Sequence, residues 1–246
     1  MRWPALSIVI FAYNEAENVG PTLVETAAWL QDHVDDWEIV VVDDGSSDGC
    51  AEAARAAAAP YGERVRVVAY RPNRGIGGAL KTGFEAASRP WVTQLPADGQ
   101  IAPAEVGRLL DVVRADPSLD LVTCHFPDRF EEADSLDRKV LSEGLKAVMW
   151  AATGVRRRFD GVYLARRALF DRVQVRAESF FFNFEYPIRL LRAGARAGET
   201  TIHVRPRRSG HSKVKNARTI ARVARELMRL GVELRLEDVR TRVGGR

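Results

Sequence analysis

Residues 38–49 read Glu-Ile-Val-Val-Val-Asp-Asp-Gly-Ser-Ser-Asp-Gly, an apolar run that stops abruptly in two aspartates and a turn. A short apolar run of this kind suits a strand covered on both faces. The Ala-rich stretch from Ala51 to Ala59 then reads as a helix. Working outward, the alternation repeats. Ser7 to Phe11 is a strand and Ala16 to His33 a helix; Val65 to Tyr70 is a third strand. A glycine-rich turn, Asn73 to Gly78, leads a helix to Ala87, and Trp91 to Leu95 is a fourth strand. Strands and helices in this order predict βαβ units and a Rossmann-like α/β domain with a mostly parallel central sheet flanked by helices. Right-handed crossovers bring all the strand-to-helix loops to one edge, where open α/β sheets bind ligands. Tyr13-Asn14-Glu15, Asp43-Asp44-Gly45-Ser46 and Asp98-Gly99-Gln100 all fall there. A lone Asp-Gly pair is a plain turn. Three acidic loops after successive strands predict one polar crevice.

The second half is less regular. A helix is expected from Leu136 to Ala152, followed by Arg156-Arg157-Arg158, the aromatic cluster Phe180-Phe181-Phe182 and a helix near Tyr186 to Arg192. Residues 1–215 read as one domain and 216–246 as a basic amphipathic helix and tail. In that helix Arg218, Arg222, Arg225 and Arg229 share one face, and Ile220, Val223, Leu227 and Leu230 another. Such a helix reads either as a membrane-surface element or as an ordinary helix packed on the domain. The chain has 246 residues, a net charge of +4 and two cysteines, Cys50 and Cys124. Two cysteines make neither a disulfide framework nor a metal cluster. No apolar run approaches the roughly 20 residues of a membrane helix, and no signal peptide is visible. The expectation is a cytoplasmic protein with peripheral contact on the inner face of the cell membrane. Nucleic-acid binding is disfavoured, because no aromatic residue interrupts the basic stretch from Arg205 to Arg229.

Five segments appear in a recognisable order: SIVIFAYNEAENV from Ser7, VVDDGSSDG from Val41, NRGIGGALKTGFEAA from Asn73, PADGQIAPAE from Pro96, and the run from Glu185 to Lys213. In this the chain resembles glycosyltransferase family 2, of the GT-A fold, and within it the polyprenyl (dolichol) phosphate mannosyl- or glucosyltransferases. The resemblance covers about Leu6 to Lys213. It implies a nucleotide site at Ala12, Tyr13, Glu15, Asp43, Asp44, Lys81, Ala97 and Asp98. One of the two adjacent aspartates is also open to a purely local role in the turn through Ser46 or Ser47. The resemblance implies a divalent cation, Mg2+ or Mn2+, on Asp98 and Gln100, although Pro96 stands where the family has the first metal-binding Asp. Arg138 and Ser142 match a family pair near the acceptor phosphate, and Arg207, Ser212 and Lys213 match a loop that closes over phosphates. Two departures affect the acceptor region. His125-Phe126 stand where the family has an arginine, with Arg129 the nearest substitute, and Arg157 replaces an Asp, with Asp160 beside Gly161 as a compensating carboxylate.

The implied reaction is inverting transfer of a hexose from GDP-mannose or a UDP-hexose to a polyprenyl phosphate. A phosphate acceptor is already anionic and needs cations rather than a base. Asp98, Arg138, Arg207 and Lys213 are the catalytic candidates. The alternative is a cytosolic glycosyltransferase acting on a small-molecule or secondary-metabolite hydroxyl, for which Glu185 is the candidate base. A non-catalytic sugar-nucleotide-binding relative is the third reading, and Pro96 its one argument.

Overall fold

A computed structural model describes residues 3–127, 149–156, 160–207 and 217–244, with backbone alone at 217–220 and 241–244. The strands are β1 (Leu6–Ala12), β2 (Trp37–Asp43), β3 (Val65–Ala69), β4 (Trp91–Pro96), β5 (Leu121–His125), β6 (Tyr163–Arg166) and β7 (Ala197–Thr201). The helices are α1 (Ala16–His33), α2 (Cys50–Ala58), α3 (Ile76–Ala86), α4 (Pro103–Ala115), α5 (Phe182–Arg192) and α6 (Ala217–Gly244). One seven-stranded sheet runs β3-β2-β1-β4-β6-β5-β7. Strand β6 alone is antiparallel to its neighbours, β4 and β5.

The apolar runs become strands because both faces are covered. Alternate side chains of β1 divide between two cores. Leu6, Ile8 and Ile10 pack with α1, α2 and α4 residues such as Leu23, Leu30, Ala54 and Leu109. Val9 packs on the other face with Leu80, Phe84, Phe182, Tyr186, Leu227, Leu230 and Leu234. A glycine is required at position 83, where an added Cβ would meet Val9 Cγ1 at 2.2 Å. Register sets the carboxyl ends level: Ala12 lies opposite Asp43 and Phe11 opposite Pro96. Thus the loops after β1, β2 and β4 open on one edge.

Two sequence expectations shift. The helix foreseen near Tyr186 begins at Phe182, because Phe182 and Tyr186 are one turn apart and both face the second core. The C-terminal helix does pack on the domain: Leu227, Leu230 and Leu234 are buried in that same core. Most of the helix expected over Leu136–Ala152 lies outside the described residues; positions 149–153 are helical.

Candidate active site

Side chains and backbone first tie the loops to one another. Asn14 adopts φ 51°, and its backbone N–H donates to Ser46 Oγ at 2.8 Å. Its side-chain oxygen accepts from Ser47 N at 2.9 Å. Asp43 is buried and accepts from the Ser46 hydroxyl and, at 3.4 Å, from Ser46 N. It shapes the turn and is not among the residues lining the cleft. Asp43, expected at the nucleotide, is thus placed against Ser46 in the turn. Asp44 does line the cleft. Its carboxylate accepts from Tyr70 Oη, Arg74 N and Asn73 Nδ2, each at 2.8 Å. Burial pushes its pKa up even so, because desolvation outweighs those bonds. Gly45, at φ 75°, lets this turn pass the β3–α3 loop; a Cβ there would sit 2.8 Å from Asn73 N.

The glycine-rich turn ahead of α3 serves close approach. A Cβ on Gly75 would lie 2.7 Å from Glu178 O, and Gly77 N donates to that carbonyl at 2.9 Å. Helix α3 is thereby docked against the segment leading into α5, bringing Asn73, Ile76 and Ala79 opposite Ser179 and Phe180 in one cleft.

Beyond β4, Pro96 closes the strand and Ala97 N donates to Phe11 O at 3.1 Å. Asp98 is 5% exposed. One of its oxygens accepts from Gln100 N at 3.0 Å, and the other pairs with Arg207 Nη2 at 2.8 Å. The same guanidinium donates from Nε to Gln100 Oε1 at 3.2 Å, and its Nη1 lies 3.5 Å from Glu15 Oε1. Neighbouring Arg205 is a strut. It holds both Glu25 oxygens, at 2.9 and 2.6 Å, and the Gly99 carbonyl at 2.5 Å.

These walls enclose a cleft of about 540 Å3, of the size that takes a small ligand. Ala12, Tyr13, Glu15, Asp44, Ala97, Asp98, Gln100 and Arg207 all line it, as does Asp160 on the far side. Asp160 Oδ2 accepts from Phe126 N at 2.9 Å, which anchors the turn before β6. Arg129, Arg138, Ser142, Ser212, Lys213 and Arg157 lie outside the described residues.

Two further candidates are placed away from the cleft lining. Glu185 is 1% exposed and does not line the cleft. Its carboxylate accepts from Arg176 N at 3.1 Å, Ala177 N at 2.7 Å and Arg189 Nε at 2.7 Å. With these three bonds the carboxylate ties the segment before α5 to Arg189. Lys81 also lies outside the lining residues. It is half-buried, with desolvation lowering its pKa, and its charged neighbours are Glu185, Glu178, Glu226 and Arg229 rather than the nucleotide loops.

Arg222 is among the cleft residues that sequence reading did not place there. Arg222 of α6 reaches the rim, paired with Glu178 at 3.1 Å and Glu226 at 3.5 Å. Glu226 in turn accepts from Ser179 Oγ and from Glu178 N. The available signal was the i,i+4 pair Arg222–Glu226, which marks that side of the helix as engaged and not simply solvated.

The oxygens around Arg207 bear on metal binding. Asp98, Gln100 and Glu15 present hard donors to a single cationic group. Among the described residues no group of three or more His, Cys, Asp or Glu could hold a metal alone. One or two carboxylates completed by substrate phosphates and water is how Mg2+ is usually held, so the donor set fits.

A profile described as Glycosyl transferase family 2 matches residues 7–182. The undecaprenyl-phosphate 4-deoxy-4-formamido-L-arabinose transferase of Yersinia enterocolitica is 34% identical over 211 residues, 85% of this chain and 62% of its own length. That of Serratia proteamaculans is 36% identical over 149 residues, 61% of this chain and 44% of its own. The chain thus spans about half to two thirds of the length of such curated relatives. Among solved structures, glucosyl-3-phosphoglycerate synthase from Mycobacterium tuberculosis in complex with uridine diphosphate superposes with a TM-score of 0.70 at 21% identity, over 93% of this chain and 80% of that one. Mannosyl-3-phosphoglycerate synthase from Rubrobacter xylanophilus gives 0.67 at 21%, over 96% and 74%. At such identities the likeness bears on the fold, which is the GT-A arrangement of a mostly parallel sheet between helices. With most of its length matched by the family profile and a curated relative above 30% identity, the chain belongs to glycosyltransferase family 2.

Proposed function

We propose that this chain transfers a hexose from a nucleotide sugar to a polyprenyl phosphate by an inverting single displacement. Two guanidinium groups, of Arg207 and Arg222, line the cleft, while the expected base Glu185 is locked in the core. That contrast carries the reading. A hydroxyl acceptor needs a base, whereas an anionic acceptor needs cations. The curated relatives, which are undecaprenyl-phosphate transferases, point the same way.

In this reading Ala12, Tyr13, Glu15, Asp44 and Ala97 hold the nucleoside, carboxylates accepting from ribose and base donors. Asp98 and Gln100 would hold Mg2+ or Mn2+, which offsets charge on the leaving diphosphate. Arg207, with Arg129, Arg138, Ser142, Ser212 and Lys213, holds the acceptor phosphate. A phosphate oxygen attacks the anomeric carbon opposite the diphosphate. The new carbon–oxygen bond forms as the bond to diphosphate breaks, with no proton to remove. The test is incubation with a panel of nucleotide sugars, Mn2+ and a short polyprenyl phosphate, with product masses measured. A hexosyl phosphodiester supports the proposal. A second reading, transfer to a small-molecule hydroxyl, is favoured by Asp160, a carboxylate on the cleft wall that a hydroxyl acceptor could use as base.

The acceptor's lipid tail implies work at the cytoplasmic membrane face. Among the described residues no helix is long and apolar enough to cross a membrane. Helix α6 nevertheless turns a second apolar stripe outward: Met228, Val232, Leu236 and Val239 are each more than half exposed, with exposed Arg225, Arg229 and Arg235 between and beside them. Aliphatic side chains interleaved with arginines match an anionic lipid surface. Wild-type protein should float with phosphatidylglycerol vesicles and a Met228→Asp, Leu236→Asp double variant should not. Equal behaviour of the two excludes this face.

A further inference from the structure

We propose that Arg207 is a built-in counter-ion standing in the cation position, so that a divalent ion and the Asp98–Arg207 pair exclude one another. The inference rests on the cation reading above and goes beyond it. Three guanidinium nitrogens meet three separate oxygens: Nη2 on Asp98 at 2.8 Å, Nε on Gln100 at 3.2 Å and Nη1 near Glu15 at 3.5 Å. These include the two side chains assigned to the metal. A divalent ion on those oxygens sits about 2.0–2.6 Å from each, too close to leave room for the guanidinium, which it would also repel. One of the two must leave.

The local construction confines that movement to one side chain. Arg205 fixes the backbone two residues away, through Glu25, the Gly99 carbonyl and its own N–H to Gln100 O at 2.8 Å. The Asp98 loop is held by the Ala97-to-Phe11 bond and the Asp98-to-Gln100 turn. The Arg207 side chain is 23% exposed, against 7% for that of Asp98. Pro96 contributes to the charge balance, because with no carboxylate at that position one guanidinium largely neutralises Asp98. The consequence is an order of events. Before donor and cation arrive, Arg207 keeps a buried carboxylate paired. Once they bind, it is released from Asp98 within the cleft and freed for an acceptor phosphate.

The experiment titrates Mn2+ into the full chain in the presence of uridine or guanosine diphosphate, against the same mixture without protein, followed by electron paramagnetic resonance of the free ion. Wild type, Arg207→Gln, Arg207→Ala and Asp98→Asn are compared, each with a melting curve. Removing the competitor should tighten Mn2+ binding about tenfold in either Arg207 variant, the factor expected for one charge-assisted contact. Asp98→Asn should bind no ion at this site. In wild type, saturating Mg2+ should also speed hydrogen exchange at the Arg207 Nε–H, a readout that needs no variant to fold. Arg207 variants that bind Mn2+ no tighter, absence of binding in every form, or unchanged exchange would each overturn the proposal. Transfer by wild type is measured separately. Sugar transfer without tightened Mn2+ binding sinks the exclusion alone, whereas no product from any donor sinks the transfer reading itself.

Discussion

Glu185→Ala separates a structural carboxylate from a catalytic one. Its carboxylate receives two backbone N–H groups and the Arg189 guanidinium, all within 3.1 Å, at 1% exposure. Truncation leaves Arg176 N and Ala177 N without their acceptor and leaves Arg189 partly unbalanced. Arg189 keeps Glu233 at 2.5 Å and Glu237 at 3.6 Å, so the charge is not wholly abandoned. Breaking a buried pair of this type costs about 3–5 kcal/mol, and the remaining partners place the loss toward the lower end. Glu185→Gln keeps the shape and one acceptor oxygen and should cost about 1–2 kcal/mol. Urea denaturation reads both, as a lower midpoint with an unchanged slope. The kcat of the folded fraction should stay within about threefold of wild type, far from the 10²–10⁴ typical of a lost general base. A Glu185→Gln protein of native stability with kcat reduced a hundredfold would refute the reasoning and restore Glu185 as the base.

Asp98→Ala should lower kcat by about 10²–10³, the usual cost of losing one charge-stabilising group, and chelation of divalent ions should have a similar effect on wild type. Near-wild-type rates in either case would remove the metal assignment. Asp160→Asn tells the acceptor classes apart. With a phosphate acceptor kcat should fall less than about tenfold, while a loss of about 10²–10⁴ would identify Asp160 as a base. Glu38 supplies a stability test. Desolvation raises its pKa, but bonds from Ser7, Ser88 and Arg66 outweigh it and hold the group below its usual 4.5. A carboxyl with a depressed folded pKa stabilises above the unfolded value and loses that contribution as pH falls through the folded one. The stability gap between wild type and Glu38→Gln should therefore be full above pH 4.5 and shrink below it. A gap independent of pH would contradict the assignment.

The fold was legible wherever a local signal coincided with a global one. The apolar runs at Ile8, Val40 and Val92 are strands because both faces are covered, and the polar residues that end them mark one sheet edge. The donor side of the cleft followed: Tyr13, Glu15, Asp44, Asp98 and Gln100 all line it. Sequence could not divide labour between Asp43 and Asp44, because a strand's alternation sends one inward to Ser46 and the other to the cleft, and the register is set by pairing with β1. The surroundings of Glu185 were hidden for a related reason. Its place after five residues rich in phenylalanine signals burial, yet burial serves catalysis or a core ion pair equally, and only the position of Arg189 one turn on and Glu233 on another helix decides between them. Helix periodicity puts Arg222 on a basic face, on either reading of that helix. That periodicity fixes a face but not what the face meets, and here it meets Glu178 across the cleft rim.

The central claim is that this cleft passes a sugar from a nucleotide diphosphate to a phosphate. Mass spectrometry of a short polyprenyl phosphate incubated with wild-type protein, Mn2+ and nucleotide sugars tests it most directly. The account predicts a product heavier by one hexose and linked through the phosphate, absent when Asp98→Ala replaces wild type. Donors consumed only to free sugar, or the same product formed by Asp98→Ala, would contradict it.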